Sequence, residues 1–169
     1  MTGSTFTVTA KDDISRALKA LAEKDGGMAR AALKNIGELL VRRTRARFAQ
    51  AIGPDGKAWT PLNPEYAAAK RGPGILRESG QLASSIVWQM DGDALRIGTN
   101  KVYGAIHQFG GRIIPRNAQA LMFRLGGKIV IARAVTIPAR PYLGISASDG
   151  EAIIGVIEDH VEMLLENSG

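Results

Sequence analysis

At 169 residues and 45% hydrophobic content, the chain is sized for a single domain, 1–169, whose core needs no disulfide or metal to hold it. It has no cysteine, which excludes disulfides and thiolate chemistry, and no apolar run approaches the roughly 18 residues of a membrane span. The net charge of +6 raises the expectation of an acidic partner such as nucleic acid, although the positive charge is dispersed.

The opening "MTGSTFTVTAKDD" lacks the basic-then-apolar pattern of a secretory signal, so a soluble protein, intracellular when made, is expected. Over residues 4–10, Phe6 and Val8 alternate with threonines, which predicts a half-buried strand. "KDDISRALKALAEK" follows, with Asp12 or Asp13 as N-cap and Ile14, Ala17, Leu18 and Leu21 on one helical face. "DGG" at 25–27 is expected to end that helix. A longer one is predicted from about Met28 to Ala51, with Leu33, Ile36, Leu40, Thr44 and Phe48 facing a core. Its arginines Arg42, Arg43, Arg45 and Arg47 spread around the axis and predict a solvated or subunit-facing basic surface rather than a phosphate grip.

From 53 to 80 the periodicity fails, and four of the seven prolines and five glycines fall there. The segment predicts a long extended loop, interrupted by a short helix at "PEYAAAK" and packed on something, a neighbouring subunit included. Hairpins are then predicted around "DGD" at 91–93 and around Gly126 and Gly127, and a final helix runs from about Ser148 to Asn167. Its stripe is Ile153, Ile157, Val161 and Leu164, with Asp149 and Glu151 at its positive end. The order of elements predicts an α+β domain, with an antiparallel sheet of about four to five strands and helices on one face.

Chemistry has few parts to draw on. The two histidines, His107 and His160, stand in no metal-ligand spacing, and His160 fits a partly buried, hydrogen-bonded position on the last helix. Ser79 with His107 as base lacks a nucleophile elbow, and "SG" there suits a turn that caps a short helix. In "YGAIHQFGG", Tyr103, Ile106 and Phe109 step by three, predicting a short helix with Phe109 buried, so that its truncation would cost about 3–5 kcal/mol. Gly110 suits the left-handed end of that turn, and His107 and Gln108 are placed to hydrogen-bond nearby backbone. Arg140, between two prolines, suits bidentate pairing with a carboxylate or with carbonyls at an interface. Trp59, Tyr66 and Tyr142 are candidate anchors for a protein partner, with closure of the domain's own core as an equal alternative.

Four blocks in this order, "GPDGKAWTPL", "ILRESGQLASSI", "IGTNKVYGAIHQFGG" and "IPARPYLGIS", make the chain resemble the virion morphogenesis (tail completion) proteins of Mu-like phages and prophages, over about residues 35–160. The resemblance implies a structural protein of the virion, at the tail or head–tail junction, made in the bacterial host cytoplasm. It implies no catalysis, no cofactor and no membrane partner. It further implies a homo-oligomer, a hexameric ring being one form, that meets other tail or head–tail connector proteins and surrounds passing DNA. The matching positions include Pro54, Gly56, Trp59, Leu62, Leu76, Ser79, Gly80, Leu82, Tyr103, His107, Gln108, Phe109, Gly110, Pro138, Arg140, Pro141 and Leu143. A basic DNA-binding module is the alternative reading.

Overall fold

The structure, a computed structural model, describes residues 12–167, so the strand expected over 4–10 lies outside the described residues. Helix α1 (Asp12–Lys24) is followed almost at once by α2 (Gly26–Gln50). "DGG" therefore opens the second helix as much as it ends the first: Asp25 is its N-cap, with Oδ1 accepting from the Met28 N–H at 2.9 Å. The chain leaves α2 through Ala51, held at a left-handed φ of 54°.

Two apolar clusters share α2. Ile14 and Leu21 of α1 meet Ala29, Ala32, Ile36 and Leu40 of α2 and Ile153 and Ile157 of the last helix, α6 (Ala147–Glu166). Further along α2, Val41 and Phe48 gather Trp59, Leu82, Ile86, Tyr142 and Leu143. Each large side chain withdrawn from water there contributes about 1.5–3 kcal/mol.

The segment 53–80 packs on this second cluster of its own chain. Trp59 is buried in it, and Ile75 and Leu76 lie against it. The short helix appears as α3 (Pro64–Ala69), capped by Asn63 Oδ1, which accepts from the N–H groups of Glu65 and Tyr66. A single turn, α4 (Gln81–Ser84), leads into the strands.

The class is α+β, as the sequence predicts, but the strands form three two-stranded antiparallel ribbons and not one sheet. They are β1 (Val87–Asp91) with β2 (Ala94–Gly98), β3 (Gly111–Ile113) with β6 (Val135–Ile137), and β4 (Leu121–Leu125) with β5 (Lys128–Ala132). The middle ribbon is only three residues long per strand, and Pro115 and Pro138 near its ends have no N–H to extend a ladder. The first ribbon lies directly on α2: a Cβ on Gly37 would stand 2.7 Å from the Trp88 ring, so only glycine allows that approach. Between β2 and β3, α5 (Gly104–Phe109) forms the predicted helical turn.

Candidate functional site

Trp59, Gln108, Arg140 and Tyr142, singled out by sequence, meet Arg47 on one extended strut, residues 138–146, which ties α2, the 53–80 segment, α5 and α6 together. Prolines 138 and 141 keep it extended and deny it ladder partners, so its backbone groups must find side chains. Gln108 supplies three bonds. Its Nε2 donates to the Leu143 carbonyl at 3.0 Å, and its Oε1 accepts from the N–H groups of Tyr142 (2.9 Å) and Leu143 (3.0 Å). Tyr142 Oη donates to the Gly104 carbonyl at 3.0 Å, and Trp59 Nε1 donates to the Pro141 carbonyl at 2.8 Å. Phe48 stands between these rings, with centroids 5.5 Å from Trp59 and 5.1 Å from Tyr142.

Two arginines complete the knot. Arg140 lies over the 53–80 segment, Nε donating to the Thr60 carbonyl (2.9 Å) and Nη2 to that of Pro61 (3.1 Å). The expected fork is therefore present, but it grips carbonyls of its own chain. Arg47, 6% exposed, donates through Nη1 to the carbonyls of Tyr142 and Gly144, both at 2.9 Å, and pairs through Nη2 with the buried Asp149 carboxylate. Burial pushes the Arg47 guanidinium below its ordinary pKa, the Asp149 charge opposing it. Asp149 also accepts from the Ser146 N–H at 2.8 Å while Ser146 Oγ accepts from the Asp149 N–H, a reciprocal capping box that starts α6.

Three expectations are corrected. Phe109 is 61% exposed and not buried. The buried side of α5 is set by Gly104 and Gln108, four residues apart, because Tyr142 approaches so closely that a Cβ on Gly104 would meet its hydroxyl at 2.9 Å. Arg47 is no part of a basic surface, since it lies one heptad after Leu40 on the core-facing stripe. Of its neighbours, Arg42 and Arg45 are exposed and Arg43 is half-buried. Arg45 donates to the carbonyls of Ser84 and Ile86, and Arg43 reaches Asp149 at 3.3 Å. Finally, His107 is not a side-chain fastener. Its carbonyl accepts from the Arg140 N–H at 2.8 Å, but its Nδ1 is buried without a hydrogen-bond partner. Burial first, and the Arg140 charge second, push its pKa below the ordinary value, so the ring is held neutral beside Tyr103.

Trp59 and Tyr142 take the core alternative, and burial pushes the Tyr142 phenol up to about 12. Tyr66 is half-buried on α3, and Tyr103 is 40% exposed. His160 is buried as expected, its Nδ1 2.7 Å from the Val156 carbonyl. Ser79 is exposed, Oγ accepting from the Gln81 N–H at 3.4 Å ahead of α4. Among the described residues, no group of three or more His, Asp and Glu stands where it could hold a metal ion, and no helix is long and apolar enough to cross a membrane. An apolar cleft of about 380 Å³ lies between α1, α2 and β2, walled by Leu18, Leu33, Ile36, Leu95 and Ile97. It holds neither histidine.

Outside the knot, the β4–β5 ribbon has apolar residues on both sides. Leu121, Phe123, Leu125 and Val130 are half-buried, while Met122, Ile129 and Ile131 are 75%, 62% and 70% exposed. Sequence reading predicted this hairpin but not its bare outer face; the signal was present in the unbroken apolar runs "ALMF" and "IVIA", where a one-sided ribbon would alternate.

The phage virion morphogenesis family model matches residues 10–162. The chain is 31% identical over 134 residues to the "Putative capsid assembly protein G" of Escherichia phage Mu, with 75% of each chain covered. It is 32% identical over 91 residues to the Mu-like prophage FluMu G protein 2 of Haemophilus influenzae, with 54% of each covered. No solved structure matches.

Proposed function

The chain belongs to the phage virion morphogenesis family, with a structural role in virion assembly, and from that premise we propose that it is a non-enzymatic subunit that completes the tail or joins it to the head. It works as a ring of copies around the DNA channel, made in the host cytoplasm and carried in the virion, where it meets other tail or connector proteins. One observation carries this reading. The residues that a catalytic account would recruit, His107, Gln108, Arg140 and Tyr142, are committed to a buried knot or held neutral, whereas the β4–β5 ribbon exposes Met122, Ile129 and Ile131. Such a surface suits a partner protein more than a small substrate.

The test is deletion of the gene from a phage or inducible prophage, with complementation in trans and imaging of the particles. Unjoined heads and tails, or tails of abnormal length, are expected. Infective particles in normal yield without the protein would reject the proposal. The DNA-binding alternative loses support from Arg45 and Arg47, both committed to backbone or carboxylate partners of their own chain. A steep fall of duplex affinity with salt would restore it.

A further inference from the structure

Charge is divided sharply along the second half of the chain. Residues 94–148 contain eight Lys or Arg and no Asp or Glu, whereas residues 149–166 contain six Asp or Glu and no Lys or Arg. Helix α6 packs on α1 and α2, whereas the β4–β5 ribbon packs beside α3.

On the ribbon, the cross-strand pairs Met122–Ile131 and Arg124–Ile129 share the outer face, with Lys128 exposed at the tip and Arg133 just past β5. On α6, Glu158, Glu162 and Glu166 recur every fourth residue, with Asp159, Met163 and Leu165 exposed beside them. None of these charged side chains has an ion-pair partner among the described residues. The α6 arrangement is unfavourable in an isolated chain. Carboxylates four apart repel one another, and they sit toward the helix end whose dipole is already negative, with no basic residue in the last turn. A basic apolar ribbon and an acidic apolar helix face, each without an ion pair among the described residues, complement each other across two chains.

We infer that the outer face of the β4–β5 ribbon of one copy docks on the Glu158–Glu166 face of α6 of the next copy. This inference rests on the ring reading and specifies its contact. The surfaces differ, so the contact is heterologous: each copy offers one ribbon and one helix, and a closed ring follows if the rotation between copies closes. A DNA backbone would match the arginines but would leave Met122, Ile129 and Ile131 in water, so a second copy fits the surface better.

The experiment uses charge reversal and mixing, with size read by light scattering and analytical ultracentrifugation and folding by circular dichroism. Arg124→Glu with Lys128→Glu, and separately Glu158→Lys with Glu162→Lys, should each leave the fold intact and weaken self-association roughly tenfold or more. All four substitutions in one chain, or an equimolar mixture of the two double variants, should restore it, because every ribbon then meets a helix of opposite charge. Since the chain has no cysteine, Ile131→Cys and Met163→Cys in one chain should give a cross-linked ladder with a short bismaleimide, and either alone only dimers at most. Self-association that survives both reversals would overturn the docking contact and leave the ring reading standing. Loss without rescue by mixing, or reversals that change only duplex-DNA binding, would also overturn it. A wild-type chain that stays monomeric at about millimolar concentration and gives no ladder would sink both.

Discussion

Replacing Asp149 by Ala is the sharpest perturbation of the knot. The carboxylate is 2% exposed and serves the Arg47 guanidinium, the Arg43 guanidinium and the Ser146 N–H at once. Removing one partner of a buried pair costs about 3–5 kcal/mol, because the other charge remains desolvated. Loss of the capping box alone is worth about 1 kcal/mol. The two effects share one carboxylate and do not simply add. Arg47 keeps the Tyr142 and Gly144 carbonyls as acceptors, which holds the expected total within about 3–5 kcal/mol. That is a large share of the ~5–15 kcal/mol available to a domain. The assay is equilibrium urea unfolding followed by circular dichroism, at one protein concentration so that self-association does not move the midpoint. A cycle with Arg47→Met isolates the pair: the double variant should be more stable than the sum of single effects by about 1–3 kcal/mol. A cost for Asp149→Ala below about 1 kcal/mol, or an additive cycle, would refute the account of the knot.

Other consequences are as direct. Gln108→Ala strips partners from three buried backbone groups and should cost about 3 kcal/mol or more, whereas Phe109→Ala, at an exposed ring, should cost under about 1 kcal/mol in the same unfolding assay. Gly104→Ala drives a Cβ to within 2.7 Å of the Thr99 methyl and should lower stability by about 1–3 kcal/mol; an unchanged midpoint would show that α5 can retreat from Tyr142. His107 has a folded pKa below its unfolded value of about 6.5, so the unfolded chain binds the proton first. Stability is then full above pH ~6.5 and is lost as pH falls from there through the folded pKa, by at most about 1.4 kcal/mol per unit. His107→Gln should flatten that part of the urea-midpoint profile between pH 7.5 and 5, as checked against wild type. A spectrophotometric titration should find the Tyr142 phenol protonated until about pH 12, and the Tyr142→Phe variant should lack that late transition.

The helices were legible because their apolar positions recur at helical spacing over many turns, and α2 runs through both clusters as that pattern requires. The 104–109 turn shows the limit. Three apolar residues three apart marked a helical turn but the wrong buried face, because in a six-residue helix tertiary packing chooses which face is buried. The choice fell on the side where a glycine lets Tyr142 approach and a glutamine satisfies the strut. Gln108 was readable as a fastener because an amide beside a proline-rich segment has backbone groups to serve. His107 has the same position in principle, but its Nδ1 is buried without a hydrogen-bond partner, which no spacing reveals. Arg47 was recoverable by heptad arithmetic from Leu40, yet its partner Asp149 lies 102 residues away and no local pattern links them. Strands β1, β2, β4 and β5 were local and legible at their hairpin turns, whereas β3 and β6, three residues each, carried no such signal. The pairing into three ribbons was not legible, since it depends on proline-interrupted edges meeting in space.

The Arg47–Asp149 link also sets an order of events during synthesis. Helices α1 and α2 are local and can pair while the rest of the chain is still being made, but their common surface holds an arginine whose partner arrives about a hundred residues later. At 5–20 residues per second, roughly 5–20 s separate the two. Until then the Arg47 guanidinium has no carboxylate to pair with, and burying it would leave the charge unpaired. Closure waits for α6, the same element that carries the acidic face. A truncated or stalled chain therefore lacks both the latch and the acidic face.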